Sequence, residues 1–173
     1  MNPLDNPEDS ARRVRRHTGA TLMALMLSWS TAAWSAALEP GAWLPAIAVQ
    51  DQNERPWSVA PGTRHLVFAA DRAGSELAQA ALGADGAQRL AAARAVYLAD
   101  IHAMPALVTR LFALPALRAL PYPVGLVRDD QAAADLPRRA GQVTVLDLDQ
   151  GRVTAVHHAA DAAALLALLP AAD

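Results

Sequence analysis

The sequence has no cysteine at any of its 173 positions. That excludes a thiolate nucleophile, a disulfide and a lipidated cysteine anchor. Lysine is absent as well: the 15 cations are all arginines, set against 17 acids for a net charge of −2. Without a clustered basic excess the chain lacks the electrostatic footprint of a nucleic-acid binder. Its preference for alanine and arginine follows GC-rich coding. Gly-x-Gly-x-x-Gly, Walker and Gly-x-Ser-x-Gly patterns are also missing. Flavin, nicotinamide, phosphoryl-transfer and α/β-hydrolase readings therefore have no sequence support. No internal repeat, low-complexity linker or second domain is visible.

What is present begins with a leader. Residues 1–10 are polar and acidic, and Arg12, Arg13, Arg15 and Arg16 then form a basic block. An uncharged stretch over 20–33 carries Leu22, Met23, Leu25, Met26, Leu27 and Trp29, and Ser35-Ala36-Ala37 closes it with small residues. This order is that of a secretory signal peptide. The apolar core is roughly 14 residues, short of the ~20 that cross a bilayer comfortably. Cleavage after Ala37 puts Ser35 and Ala37 at the two positions that must be small, whereas cleavage after Ala36 puts Trp34 at one of them. The arginine pair lacks the remainder of a twin-arginine pattern, so general secretion is expected. The expectation is a signal peptide over 1–37, a folded domain over 38–173, and a periplasmic location. The alternative is an uncleaved helix tethering the domain to the inner membrane.

With 53% apolar residues, the remaining chain has the composition of a single packed domain. Ile47-Ala48-Val49 and Trp57-Ser58-Val59 flank a polar turn and read as a hairpin. His65 to Ala70 and Ala95 to Ala99 are continuous apolar runs suited to strands buried on both faces. Asp71 stands as an N-cap before a helix over Gly74 to Leu82, and Ala87 to Ala93 resumes a helical pattern. Pro105 is placed as the first residue of a helix to Leu120, with Leu107, Val108, Leu111 and Phe112 on one side and a kink at Pro115. Pro123 to Val127 reads as a third strand. Val143 to Leu148 and Arg152 to His157 flank Asp149-Gln150-Gly151, a hairpin signature. Asp161 caps a last helix. Strands alternating with helices and then an antiparallel pair imply an α/β sandwich on a mixed sheet.

The spacing of these pieces resembles the thioredoxin-like superfamily, in its exported peroxiredoxin and thiol:disulfide-interchange branch. Leu44-Pro45 through Val59 is similar to that branch's opening hairpin, with Glu54 where the pattern has glycine. Tyr122-Pro123-Val124-Gly125-Leu126-Val127-Arg128-Asp129 and Val143 through Val153 resemble its later strand and hairpin. The resemblance covers the whole domain and implies a three-layer α/β sandwich, a mixed sheet flanked by helices. It also places two losses. The turn that would hold Cys-x-x-Cys reads Asp71-Arg72-Ala73-Gly74-Ser75, and Gly141-Gln142 stands where a cis-proline lies against the dithiol. Thiol–disulfide exchange and peroxidase turnover are therefore not expected.

The candidate ligand site implied by the resemblance is the degenerate edge formed by Asp71, Arg72, Ser75, Glu76, Gly141 and Gln142, where a helix N-terminus can receive an anion or a peptide carboxylate. Its plainer reading is a capping Asp71 and a solvated Arg72. No catalytic residue is assigned, since Ser75 has no evident base. Asp100 and His102 read as a loop carboxylate and a surface histidine, or as half a metal site if the strand reaches them. His157 and His158 point to opposite faces of a strand and do not chelate together. Arg128, Arg138 and Arg139 read as solvated loop residues or a small basic spot, and Trp43 and Trp57 as packing residues. No cofactor and no metal are expected. The leading expectation is a non-catalytic envelope protein that binds a peptide, a protein or a small ligand. The alternatives are a non-redox enzyme on the same scaffold and an accessory subunit docking through Pro105 to Leu120.

Overall fold

The computed structural model of the chain describes residues 38–170. The expected leader over 1–37 lies outside the described residues. The opening hairpin is β1 (Ala48–Asp51) and β2 (Pro56–Ser58). Asp51 builds its turn, with Oδ1 accepting from the amides of Asn53 at 2.7 Å and Arg55 at 2.9 Å. Glu54 sits there at φ 64°, a left-handed conformation that glycine adopts at lower cost. Beside it, Gln52 is buried and acts as a surrogate strand residue: Nε2 donates to the Tyr122 carbonyl and Oε1 accepts from the Val124 amide, each at 2.8 Å.

The apolar runs become β3 (His65–Ala69), β4 (Ala95–Asp100) and β5 (Val124–Val127), all parallel. β6 (Val143–Asp149) runs antiparallel to β3, and β7 (Arg152–Ala159) antiparallel to β6. Gln150 and Gly151 join the last pair with φ 49° and 85°, the two positive values that a two-residue hairpin turn needs. The seven strands lie in the order β2-β1-β5-β4-β3-β6-β7, and β1 joins the parallel set by pairing antiparallel with β5. Both faces are covered, giving the expected three-layer α/β sandwich. One face packs Val67, Tyr97 and Val145 against the helical residues Ala78, Leu82, Leu90, Leu117 and Leu165. The other packs Leu66, Phe68, Leu98 and Leu146 under a thinner layer that includes Trp57, Ala133 and Leu136. Burying each Leu or Phe contributes roughly 1.5–3 kcal/mol.

Helix α1 (Arg72–Leu82) begins two residues before its expected start because Asp71 fills the cap, accepting from the Gly74 amide at 2.7 Å. α2 (Gly86–Ala92) follows, and α5 (Ala162–Ala167) is capped in the same way by Asp161.

The segment after β4 departs from expectation. Pro105 is the cap rather than the first helical residue, since its ψ of 134° lies outside the helix. A single helix kinked at Pro115 is replaced by α3 (Ala106–Val108), a π-helical turn (Thr109–Ala113) and α4 (Leu114–Arg118). Pro115 has no N–H for the Leu111 carbonyl, and its ring crowds that carbonyl. The Leu114 amide instead reaches back five residues to the Thr109 carbonyl. Leu117 is the buried anchor of the segment, and Arg118 Nε donates to the Gln52 carbonyl at 2.9 Å.

Trp57 is buried as expected, but Trp43 is not a core residue. It is 63% exposed, its ring stacks under the Arg152 guanidinium at 4.9 Å, and its backbone bridges to β7. Among the described residues, no helix is long and apolar enough to cross a membrane.

Candidate functional site

Asp71 ends the loop that leaves β3, at the edge where β6 enters beside it. Its Oδ1 caps α1 through Gly74, and its Oδ2 accepts from the Gly141 amide at 2.7 Å. Three of the six candidate residues, Asp71, Gly141 and Gln142, thus converge as the sequence suggests. They converge on one another, and both carboxylate oxygens are engaged by backbone donors. The Gln142 carbonyl presses against Gly74 so closely that a Cβ there would lie 2.7 Å from its oxygen. Real Cβ atoms do not approach that closely, so any side chain at position 74 requires the backbone of Gln142 or of α1 to shift. The first turn of α1 thus packs directly on the backbone of the 141–142 loop.

Arg72, Ser75 and Glu76 face the other way. Together with Gln79 they form the polar wall of a groove of about 530 Å³. The opposite wall is apolar, made by Ile101, Met104, Val108, Phe112, Ala116 and Leu117. That volume lies in the range of small-ligand pockets. The groove therefore joins two features that the sequence shows separately: the polar residues of the α1 turn and the apolar stripe after Pro105. Leu107 and Phe112 are each 69% exposed, an unusual exposure for side chains of that size. The π turn displaces the helical spacing here.

The polar wall has a buried foundation. Tyr97 stands on β4 with Oη 2.9 Å from Ser75 Oγ, and Gln79 Nε2 donates to Ser75 Oγ at 3.1 Å. Burial is the main cause that pushes the Tyr97 phenol above its ordinary value, and Ser75 and Gln79 offset only part of this. Tyr97 therefore stays protonated. Its neighbour Tyr122 is raised by burial too, and its hydroxyl is buried without a partner. Sequence reasoning missed Tyr97, Gln79 and Met104. A tyrosine inside an apolar strand carries no sign that its hydroxyl supports a surface serine.

Asp100 corrects another expectation. It is no loop carboxylate but the buried last residue of β4. Oδ1 accepts from the His102 amide at 3.0 Å and meets His102 Nδ1 at 2.6 Å, while Oδ2 meets Arg138 Nη1 at 2.5 Å. Arg138 also covers the Phe68 ring at 5.2 Å and donates to the Ala133 carbonyl, so it is a structural clamp and not part of a solvated basic spot. The half metal site dissolves in the same contacts.

His157 and His158 do point apart. His157 Nε2 meets Asp147 Oδ2 at 3.0 Å, and His158 Nδ1 meets Thr144 Oγ1 at 3.1 Å. Asp147 Oδ1 also holds His65 Nδ1 at 2.8 Å. Thr144 spends its hydrogen on the Pro137 carbonyl, so His158 carries its proton on Nδ1 and donates. Burial, then the charges of Arg139 and His157, lower the His158 pKa. Among the described residues, no group of three or more His, Asp or Glu is arranged to hold a metal ion.

The architecture is that of the thioredoxin fold. A chain from Chlorobium tepidum, by name the thiol:disulfide interchange protein DsbE, superposes with a TM-score of 0.53 at 17% identity, covering 78% of this chain and 100% of that one. Peroxidoxin BcpB from Mycobacterium tuberculosis gives 0.50 at 20% identity, covering 78% and 99%. The thioredoxin domain of a thiol-disulfide oxidoreductase from Bacteroides vulgatus gives 0.50 at 12% identity, covering 78% and 100%. No protein-family model and no curated protein sequence matches the chain. The fold is shared with proteins named for disulfide chemistry, and this chain has no cysteine to perform it.

Proposed function

We propose that this chain is an exported, non-catalytic thioredoxin-fold protein of the cell envelope that binds a ligand or partner in the groove between α1 and the broken helix. One observation carries the reading. The polar residues Arg72, Ser75 and Glu76 and an exposed apolar stripe meet at one groove, while Gln142 packs against Gly74 at the first turn of α1. The absence of cysteine supports a role outside thiol chemistry. Export rests on the basic, apolar and small-residue order over 12–37, and periplasmic release follows from cleavage after Ala37. Asp71, Gly141 and Gln142 serve this function by fixing the start of α1, and contact with the ligand falls to Arg72, Ser75 and Glu76.

The test is site-specific photocrosslinking of the full chain in the envelope. A photoreactive residue at position 112 yields a discrete crosslinked product, and one at position 154 on β7 does not. A mature N-terminus at Leu38 in the periplasmic fraction checks export. Equal crosslinking from both positions overturns the groove reading, and insulin disulfide reduction by the purified chain overturns the non-redox one.

A further inference from the structure

The hydrogen-bond accounting inside the groove specifies what it can hold. Tyr97 is fully buried; its hydroxyl lies 2.9 Å from Ser75 Oγ, a bond that either group can donate, and the Gln79 side chain stands beside both. Gln79 Nε2 donates to Ser75 Oγ at 3.1 Å. A serine oxygen accepts two hydrogen bonds and donates one. With Tyr97 and Gln79 both donating to it, Ser75 keeps its own hydrogen to give, and it lines the groove.

One turn earlier, Arg72 donates Nε to Glu76 Oε1 at 2.7 Å, which leaves its Nη groups as further donors on the same wall. The charge of Arg72 is balanced by Glu76, so the wall offers hydrogen bonds with little net field. Facing them, Met104, Val108, Phe112 and Ala116 present an apolar surface, hydrocarbon apart from the Met104 thioether. A molecule with a hydrogen-bond acceptor at one end, seated on Ser75 and Arg72 clear of the Glu76 carboxylate, and an apolar chain at the other complements these two walls.

We propose that the groove takes an acyl chain, its carbonyl or carboxylate oxygen on Ser75 Oγ–H and the Arg72 guanidinium and its hydrocarbon along Met104, Val108 and Phe112. This rests on the binding role assigned to the groove and adds the ligand's chemical class. A free fatty acid and a neutral acyl amide or ester share that chemistry, and charge separates them.

Calorimetric titration of the full chain with decanoate, decanamide and decyltrimethylammonium tests it. The two acyl probes bind, and the ammonium probe, which has the chain but no acceptor, binds at least about tenfold more weakly, the worth of one good hydrogen bond. Ser75→Ala weakens both acyl probes about tenfold by the same reckoning. Phe112→Ser, at an exposed position, keeps the fold and weakens all three probes. Tighter binding of decanoate identifies a carboxylate head, and equal binding of the two acyl probes a neutral carbonyl. No binding, equal binding of all three probes, or Ser75→Ala titrating like the parent overturns the proposal. A concentration-dependent dimer abolished by Phe112→Asp, without uptake of an acyl probe, makes a second copy the occupant and also overturns it. If crosslinking at position 112 persists while the acyl probes fail, the binding role stands and the ligand class falls.

Discussion

Helix α1 and the broken helix across the groove are both rich in alanine and leucine, yet they serve opposite ends. α1 is capped by Asp71, closed by Gly83, and buries Ala78, Ala81 and Leu82. The segment from Ala106 to Arg118 has no side-chain cap at Pro105, changes its hydrogen-bond period at the π turn, and buries Leu117 while leaving Leu107, Leu111 and Phe112 exposed. Apolar content therefore does not decide whether a helix becomes scaffold or surface. The cap and the direction of the stripe decide it. α1 is fixed because its first turn is tied to a second element, whereas the other segment is held near its end by Leu117 and by Arg118 on the Gln52 carbonyl and displays Leu107, Leu111 and Phe112.

The largest effect is expected where α1 is tied down. Gly74→Val forces side-chain atoms onto the Gln142 carbonyl and should lower stability by about 3 kcal/mol, the upper end of overpacking costs, as read by urea unfolding. A loss below about 1 kcal/mol would show that the two elements separate easily, and the contrast with the broken helix would fail. Asp71→Ala removes the α1 cap and the bond to Gly141 together, for an expected loss of about 2 kcal/mol. Asp71→Asn, which keeps an acceptor for one of the two amides, should recover part of it.

On the other side of the comparison, Pro115→Ala restores a donor to the Leu111 carbonyl. The π turn should relax toward α-helical spacing, with far-UV helicity rising and stability changing by no more than about 1 kcal/mol. A larger loss would mean that the irregular turn is itself required by the packing.

The smallest effect lies away from both helices. The folded pKa of His158 is lowered beneath its ordinary 6.5, so the folded state prefers the neutral ring. Its contribution is complete above that unfolded value and is lost as pH falls through it toward the folded pKa. His158→Gln should flatten that acid-side slope in thermal unfolding measured as a function of pH. An unchanged slope would assign the dependence to other groups.

Much of this was legible beforehand. The run from His65 to Ala69, the Asp149-Gln150-Gly151 hairpin and the Asp71 cap are local signals, and local chemistry decides them. The convergence of Asp71 with Gly141 followed from the order of the resembled motifs. What stayed hidden depends on partners distant in sequence. Asp100 is buried because Arg138, far along the chain, arrives to pair with it. Tyr97 reads as core until Ser75 is placed above its hydroxyl. The π turn follows from Pro115, but a proline by itself announces only a disturbance. Whether it kinks the axis, restarts the helix or widens a turn depends on what the exposed face leaves free.

The contact between Gly74 and the Gln142 carbonyl also acts as a ratchet. A single codon change can write cysteine at position 74, but its Cβ would meet that oxygen at 2.7 Å before the sulfur found room. The loop at 141–142 has to be rebuilt first, and by itself that rebuilding brings no new chemistry, only a loosened α1. A thiol introduced at this position therefore meets a steric barrier set by the backbone of a distant loop, and not by any side chain that a second substitution could trim.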